Sequence, residues 1–395
     1  MIRTGVGYSI DSDSFLSGQE TAKIATNNLK SVQLNFLYTS VKNNVEEVVK
    51  GVQSITRTAI IGCTSSGGIM VPDGIIESKN GFSGMMSIHD DKMTVGLACH
   101  EAGKNPREIG RKVAYEAVQN SKTSRAPVGF YMVASKKNEE EYLMGIQDII
   151  GRVPMFGGTT SDEFGTGTAR IICGNKILKS GVAVAFIYTD TEIETVFTGN
   201  YRETSNMGMI TETLNSYEIS KINGISALKQ YAIWIEEKSS AIMKEKLRET
   251  SILKPLGIKN PTGNILIVKH PLYGNNKDTK STNDDTIMVG SKVVEGTGVI
   301  ALAITEDEIV DSTTETIKNL KKKMYVKPSG YIFFHNEDRK KVIGDRLDEL
   351  HKQILKETKS TPFIVVFTNG EYGYNEHSEN TCGELMLSFT AFGEE

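Results

Sequence analysis

Two short stretches carry the side chains best suited to holding a small polar ligand. The first is Gly62-Cys63-Thr64-Ser65-Ser66-Gly67 and the second is Gly157-Gly158-Thr159-Thr160-Ser161. Aligning Gly62 with Gly157 sets Thr64 against Thr159 and Ser66 against Ser161, so one hydroxyl pattern occurs twice. Backbone amides of a glycine-rich turn, with small hydroxyls beside them, make a polar concavity for a carboxylate or similar small anion. The local alternative is that the glycines only supply positive φ at a strand end while the hydroxyls close turns. Neither stretch is a nucleotide loop: a P-loop needs Gly-Lys-Ser/Thr opening a helix, and here Gly67-Gly68 runs into Ile69-Met70-Val71-Pro72. Thr64 also stands where a Gly-x-Ser-x-Gly nucleophile elbow requires serine. Cys63 could attack a substrate if a base lay beside it, but its counterpart is Gly158, which favours packing.

A third polar segment, Glu371 to Cys382, follows an apolar run at Phe363 to Thr368. Glu371 stands relative to that run as the first loop stands to its own strand. Its carboxylate could take the ammonium of an amino-acid-like ligand while amides and hydroxyls near Gly62 or Gly157 take the carboxylate. His377 with Glu371, Glu379 and Cys382 shows no tight metal-ligand spacing, and a solvated loop is the expectation there. The remaining histidines, His89, His100, His270, His335 and His351, form no signature, so haem ligation is possible for any and indicated for none.

The elements that must position these loops also repeat. Residues 31–99 and 126–198 each read as strand, helix, strand, polar loop and then a two-strand hairpin. Gly81 aligned with Gly181 gives the second copy five extra residues after its loop. Neither copy holds enough apolar residues for a core of its own, so the two should pack together across a pseudo-twofold axis with their loops facing. Asn105-Pro106-Arg107-Glu108 is a strong helix start between them. Beyond a junction near Asn223, a helix carrying Ile225, Leu228, Ala232 and Ile235 inward is expected. The stretch Leu253 to Gly263 and the polar stretch Tyr273 to Asp285 read as loops. A diverged third copy then spans Gly330 to Phe389, with the region around 260–310 as its degraded partner. The fold class is mixed α/β (α+β), layered sheets with helices, in two parts at 1–223 and 224–395.

With 395 residues, 24% charged and 38% apolar, the chain has ordinary globular composition and ample core. A net charge of −4 gives no basic field for nucleic acid. No run is long enough for a membrane span, and Met1 to Tyr8 lacks the apolar region of a signal peptide. Cys63, Cys99, Cys173 and Cys382 show no CxxC spacing, as expected of reduced thiols in a cytoplasmic protein.

Taken in order, several short motifs resemble the FIST (F-box and intracellular signal transduction) N-terminal and C-terminal domains. They are Gly62 to Gly67, Gly157-Gly158-Thr159, Gly199 with Gly208 and Thr211, Glu218 to Ala227, Val294-Glu295-Gly296, and Gly370-Glu371 followed by Asn380-Thr381. The resemblance covers about Leu34 to Phe392. It implies a non-enzymatic sensory module for small ligands, amino acids or similar metabolites. Its output would pass through a separate effector such as a histidine kinase, chemoreceptor or cyclic-dinucleotide enzyme. One branch of the family is a haem-binding nitric-oxide sensor, and a hydrolase or transferase using the loop Cys, Ser or Thr residues is a further alternative. The chain departs from the family at Gly68, where a glutamate is common, and at Phe334 to Arg339, where a cysteine-arginine motif is usual. Loop chemistry and resemblance together give the candidate ligand residues Cys63, Thr64, Ser65, Ser66, Gly157, Gly158, Thr159, Glu371, Tyr372, Asn380 and Thr381, with no resident cofactor and no metal.

Overall fold

A computed structural model describes residues 1–161, 166–242, 245–259, 266–273, 286–374 and 380–394. The loop expected over Leu253 to Gly263 is corrected by a strand at Leu256–Lys259, while its residues 260–263, most of the loop expected over Tyr273 to Asp285, and His377 and Glu379 lie outside the described residues.

Three segments build one kind of unit. The first runs β1 (Arg3–Ser9), α1 (Ser14–Thr26), β2 (Leu34–Ser40), α2 (Val45–Gln53), β3 (Ala59–Ser65), a short hairpin of β4 (Ile69–Val71) and β5 (Gly74–Ile76), then β6 (Ser83–His89). The second repeats that order with β7 (Thr94–Glu101), α3 (Pro106–Ser121), β8 (Gly129–Ala134), α4 (Glu139–Ile150), β9 (Met155–Thr159), the hairpin β10 (Ile171–Cys173) and β11 (Lys176–Leu178), and β12 (Gly181–Tyr188). The third opens with β13 (Ile193–Thr198) and is then interrupted. The insertion comprises β14 (Arg202–Asn215), β15 (Glu218–Ile222), β16 (Ile225–Ser226), α5 (Ala227–Trp234), α6 (Glu245–Leu253), β17 (Leu256–Lys259), β18 (Leu266–Lys269), β19 (Pro271–Tyr273), β20 (Ile287–Val289) and β21 (Gly298–Ala303). The unit resumes with α7 (Glu306–Lys323), β22 (Pro328–Asn336), α8 (Glu337–Ile343), α9 (Leu347–Thr358), β23 (Phe363–Thr368), the hairpin β24 (Glu371–Gly373) and β25 (Thr381–Gly383), and β26 (Leu387–Gly393).

Each unit forms one sheet and lends its short hairpin to another. The first sheet is ordered β1-β6-β2-β3-β10-β11, the second β7-β12-β8-β9-β24-β25 and the third β13-β26-β22-β23-β4-β5. The hairpin of unit 1 therefore completes sheet 3, that of unit 2 completes sheet 1, and that of unit 3 completes sheet 2, a cyclic exchange with pseudo-threefold symmetry. The inner faces of all three sheets share one core, where Phe36 meets Tyr131 at 5.2 Å and Phe156 at 5.8 Å between ring centres, and Tyr131 stacks on Phe334 at 5.8 Å. Helices back each outer face through separate apolar layers. The insertion forms a fourth sheet, β18-β17-β21-β14-β15-β20-β19 with β16 on β15, over a core of its own.

Local sequence explains much of this. α7 begins at a capping box in which Thr305 and Glu308 satisfy each other's backbone N–H, with acidic residues in its first turn and Lys321, Lys322 and Lys323 in its last, matching the helix dipole. β2, β8 and β22 are buried on both faces and read as continuous apolar runs. The third copy is present as read.

Other readings need correction. The strands taken as hairpins, β6 with β7 and β12 with β13, do not pair: β6 lies in sheet 1 and β7 in sheet 2, β12 in sheet 2 and β13 in sheet 3. Both strands of each pair are buried on the core side, so each can join a different sheet across a four-residue turn. The copies are related by a threefold rather than twofold arrangement. Leu37 faces Met85 and Met132 faces Val184, so Phe82, not Gly81, corresponds to Gly181, and the second copy carries four extra residues, not five. The 260–310 region is no degraded repeat; its described strands belong to the inserted sheet, and Asn223 lies in the turn between β15 and β16, inside that sheet. Ile225 is exposed on β16 instead of facing inward. The N-terminal strand and helix, β1 and α1, were missed because α1 is polar, with only small residues such as Gly18, Ala22 and Ala25 facing inward.

Candidate functional site

Of the expected glycine-rich turns, Ser66-Gly67-Gly68 does turn between β3 and β4, with Gly68 at φ 78°, but Gly62 and Gly157 are strand interiors. Gly62 lies in β3 and Gly157 in β9, at the same register against Leu37 and Met132. A Cβ on Gly62 would stand 1.8 Å from the Leu37 carbonyl oxygen, and one on Gly157 1.9 Å from that of Met132. These glycines permit close strand approach and form no anion nest. Cys63 is a core residue against Tyr38 and Tyr131, and burial pushes its thiol up to about 12, away from the reactive thiolate.

The loop hydroxyls mostly bind the chain itself where the three units meet. The Ser65 hydroxyl donates to the Phe367 carbonyl at 3.0 Å, and Thr64 Oγ1 accepts from the Arg170 N–H at 2.9 Å. Ser161 Oγ accepts from the Ser66 N–H at 2.9 Å, and the Ser66 hydroxyl lies 2.8 Å from Glu337 Oε1. Glu371 is fully buried instead of standing in a solvated loop. It accepts from Thr368 Oγ1 at 3.0 Å, from the Met386 N–H at 3.0 Å and from Asn336 Nδ2 at 3.1 Å. Burial pushes its carboxyl up to about 8 against those donors and nearby Arg339. Arg339 is buried as well, donating to the carbonyls of Gly199 and Leu385 and to Ser312, over the Tyr201 ring. Asn380 donates to the Val153 carbonyl at 2.8 Å and Thr381 faces Gly373, both toward the start of β9 and away from Thr159.

Only Thr159 and Tyr372 of the expected residues meet at a cavity between elements. Tyr372 pairs with Gly157, which brings its ring to the end of β9. Its hydroxyl lies 2.8 Å from Thr159 Oγ1, which in turn donates to Glu139 Oε1 at 3.2 Å. A chain of polar groups thus runs from the borrowed hairpin through β9 to the first turn of α4. Burial pushes the Glu139 carboxyl up to about 7, opposed by its own backbone N–H, Lys136 and Thr159. Around these groups lies a small, partly open cavity of about 20 Å³, lined also by Lys136, Glu140, Cys382 and Glu384 and roofed by Tyr217, Ser291 and Lys292 of the inserted sheet. The roof is fastened down: the Tyr217 hydroxyl donates to the Lys137 carbonyl at 2.5 Å, Lys292 pairs with Glu141 at 2.5 Å and Lys269 with Glu140 at 3.6 Å. Glu384, buried, accepts the His270 N–H at 3.1 Å, and burial raises its carboxyl.

The pseudo-threefold arrangement supplies an internal comparison. The places of Thr159 and Tyr372 are taken by Thr64 and Ile172 where unit 2's hairpin meets sheet 1, and by Phe367 and Met70 where unit 1's hairpin meets sheet 3. The full polar chain exists at one seam of three, and that seam lies beneath the insertion. The FIST N domain matches residues 33–225 and the FIST C domain residues 227–374. The chain is a FIST-domain protein. FIST domains are sensory domains of signal transduction.

The chain has no match among curated proteins. Solved structures give only slight likenesses. A cyanuric acid hydrolase from A. caulinodans is 7% identical, with both chains fully covered and a TM-score of 0.33. Another cyanuric acid hydrolase is 10% identical at the same coverage and TM-score, and PurLQS from Thermotoga maritima is 7% identical over 99% of this chain and 72% of its own, at a TM-score of 0.24. These likenesses carry no argument about activity.

The described histidines form no haem site. His335 Nε2 is buried without a partner, but its ring is packed against Phe367, and no histidine lines any of the five cavities described among these residues. No group of three or more potential metal ligands occurs among the described residues. No helix among them is long and apolar enough to cross a membrane. Sequence reasoning missed Lys136, Glu139, Glu384 and the roof residues. Glu139 opens the acidic run Glu139-Glu140-Glu141, which reads as a solvated helix start, and only the aligned Asn44 hinted at a difference between copies.

Proposed function

We propose that this FIST protein is a non-catalytic cytoplasmic sensor that binds an amino acid or similar small zwitterion beneath the inserted sheet. It would signal through a separate effector such as a histidine kinase, a chemoreceptor or a cyclic-dinucleotide enzyme. The observation that carries this reading is the Tyr372, Thr159 and Glu139 chain, present at the one seam that the insertion covers. Glu139 and Glu384 offer carboxylates to an ammonium, Lys136 and Lys292 offer charge to a carboxylate, and the two hydroxyls fix orientation. As it stands, the cavity has room for little more than one water. Admitting an amino acid therefore requires the roof contacts of Tyr217 and Lys292 to loosen, which couples binding to movement of the insertion. A non-catalytic role is supported by the high thiol pKa of Cys63 and by the engagement of the Ser65 and Thr64 hydroxyls with the backbone.

A thermal-shift panel of the common amino acids and related metabolites tests it, since a specific ligand raises apparent stability by mass action. A midpoint raised by one or a few amino acids, and not raised in Glu139→Gln, is the expected result. A panel with no responder, or an equal response in the variant, would refute the reading.

A further inference from the structure

Two of the four cysteines stand apart from the rest. Cys99 and Cys173 lie on β7 and β10, strands of different sheets, and both belong to the central core, as do their strand neighbours Leu97 and Ile171. The two strands approach closely here: a Cβ built on Gly174, next to Cys173, falls 3.8 Å from Leu97 Cδ2. All four cysteines are buried, Cys99 7%, Cys173 6%, Cys382 6% and Cys63 1% exposed, so it is the meeting of their two strands that sets Cys99 and Cys173 apart. Each thiol lies near enough to perturb the other's ionisation, and Lys176, from the tight turn that follows Cys173, adds its charge.

We propose that Cys99 and Cys173 form a redox pair that closes to a reversible disulfide when the protein meets a hydroperoxide. The neighbouring Cys173 thiol and Lys176 hold the Cys99 thiol below its ordinary range, against burial and the charges of Glu116 and Glu101, while Cys99 and burial push Cys173 up. Either thiol of this pair can open the sequence. Where Cys99 attacks, its thiolate forms an S–O bond as the peroxide O–O bond breaks and hydroxide leaves, giving a sulfenic acid. Cys173 then attacks that sulfur, forming S–S as S–O breaks and a second hydroxide leaves. With the two thiol protons the sum is two thiols and one hydrogen peroxide giving one disulfide and two waters. The bond would tie sheet 2 to sheet 1 beside the hairpin that unit 2 lends, a link between units that a dithiol reductant would undo.

The test treats the full chain with hydrogen peroxide, alkylates remaining thiols under denaturing quench, and maps cysteines by mass spectrometry. The expected result is loss of two alkylatable thiols, a 2 Da fall in intact mass, a peptide containing Cys99 joined to one containing Cys173, and full reversal by dithiothreitol. In Cys99→Ser, Cys173 should stay alkylatable; should that variant fail to fold, the wild-type linkage map decides alone. Four thiols still alkylatable at peroxide levels that consume free cysteine, Cys99 driven to sulfinic acid without a link, or a link to Cys63 or Cys382 would each overturn the proposal.

Discussion

Glu139 and Glu371 are both carboxylates that burial holds in the protonated direction, and their different surroundings assign them different work. Glu371 is enclosed by three donors and lines no described cavity, so its effect should appear in stability. Its folded value of about 8 exceeds the ordinary 4.5, so between those values the folded chain keeps a proton that the unfolded chain releases. The contribution of Glu371 to stability is therefore greatest below about 4.5 and is lost as pH rises to about 8, with Glu139 acting in the same sense up to about 7 and the buried, neutral His270 and His335 acting in the opposite sense below about 6.5. We expect urea midpoints to decline from about pH 6.5 to about pH 8 in the wild type and less steeply in Glu371→Gln; an identical slope would contradict the assignment. Tyr372→Phe removes only the hydroxyl that meets Thr159, and calorimetry should show ligand binding weaker by about tenfold, with stability lower by no more than ~1 kcal/mol. Thr159 was legible from the sequence because it is duplicated. Glu139 was not, because an acidic residue opening a helix satisfies the dipole on the surface just as well.

At the scale of elements, the repeat was legible and its pairing was not. Apolar runs at β2, β3, β8, β9, β22 and β23 announce buried strands, but nothing local says that β6 and β7 diverge into separate sheets, because a short polar turn serves both a hairpin and a crossing between sheets. Glycine was the subtler signal. Gly62 and Gly157 looked like turn residues and are points where adjacent strands leave no room for a methyl group. Gly62→Ala and Gly157→Ala should each lower the unfolding free energy by about 3 kcal/mol or more in urea titrations, since the obstruction is backbone that cannot swing aside. Gly74→Ala, where a Cβ meets nothing within 4 Å, should cost less and only through its positive φ. Equal losses at all three positions would remove the close-approach explanation.

At the scale of the molecule, three units exchange hairpins around a filled aromatic core, and the asymmetry enters with the insertion at residues 202–303. That insertion roofs one seam, and its described contacts to the α4 start are polar, Tyr217 to Lys137, Lys292 to Glu141 and Lys269 to Glu140. Polar, partly exposed fastenings of this kind are cheap to break compared with apolar burial. Lys292→Ala should therefore loosen the roof, seen as faster hydrogen exchange in β15 and β20, while global stability changes by less than ~1 kcal/mol. Slower or unchanged exchange there would count against a movable roof. The central claim is that the polar chain under this roof is where a small zwitterion is recognised. The most direct measurement is calorimetric titration of the best amino acid from the thermal panel into wild type and Glu139→Gln at one pH. We expect saturable one-site binding to the wild type and at least tenfold weaker binding to the variant; equal affinity in both would show that the ligand is held elsewhere.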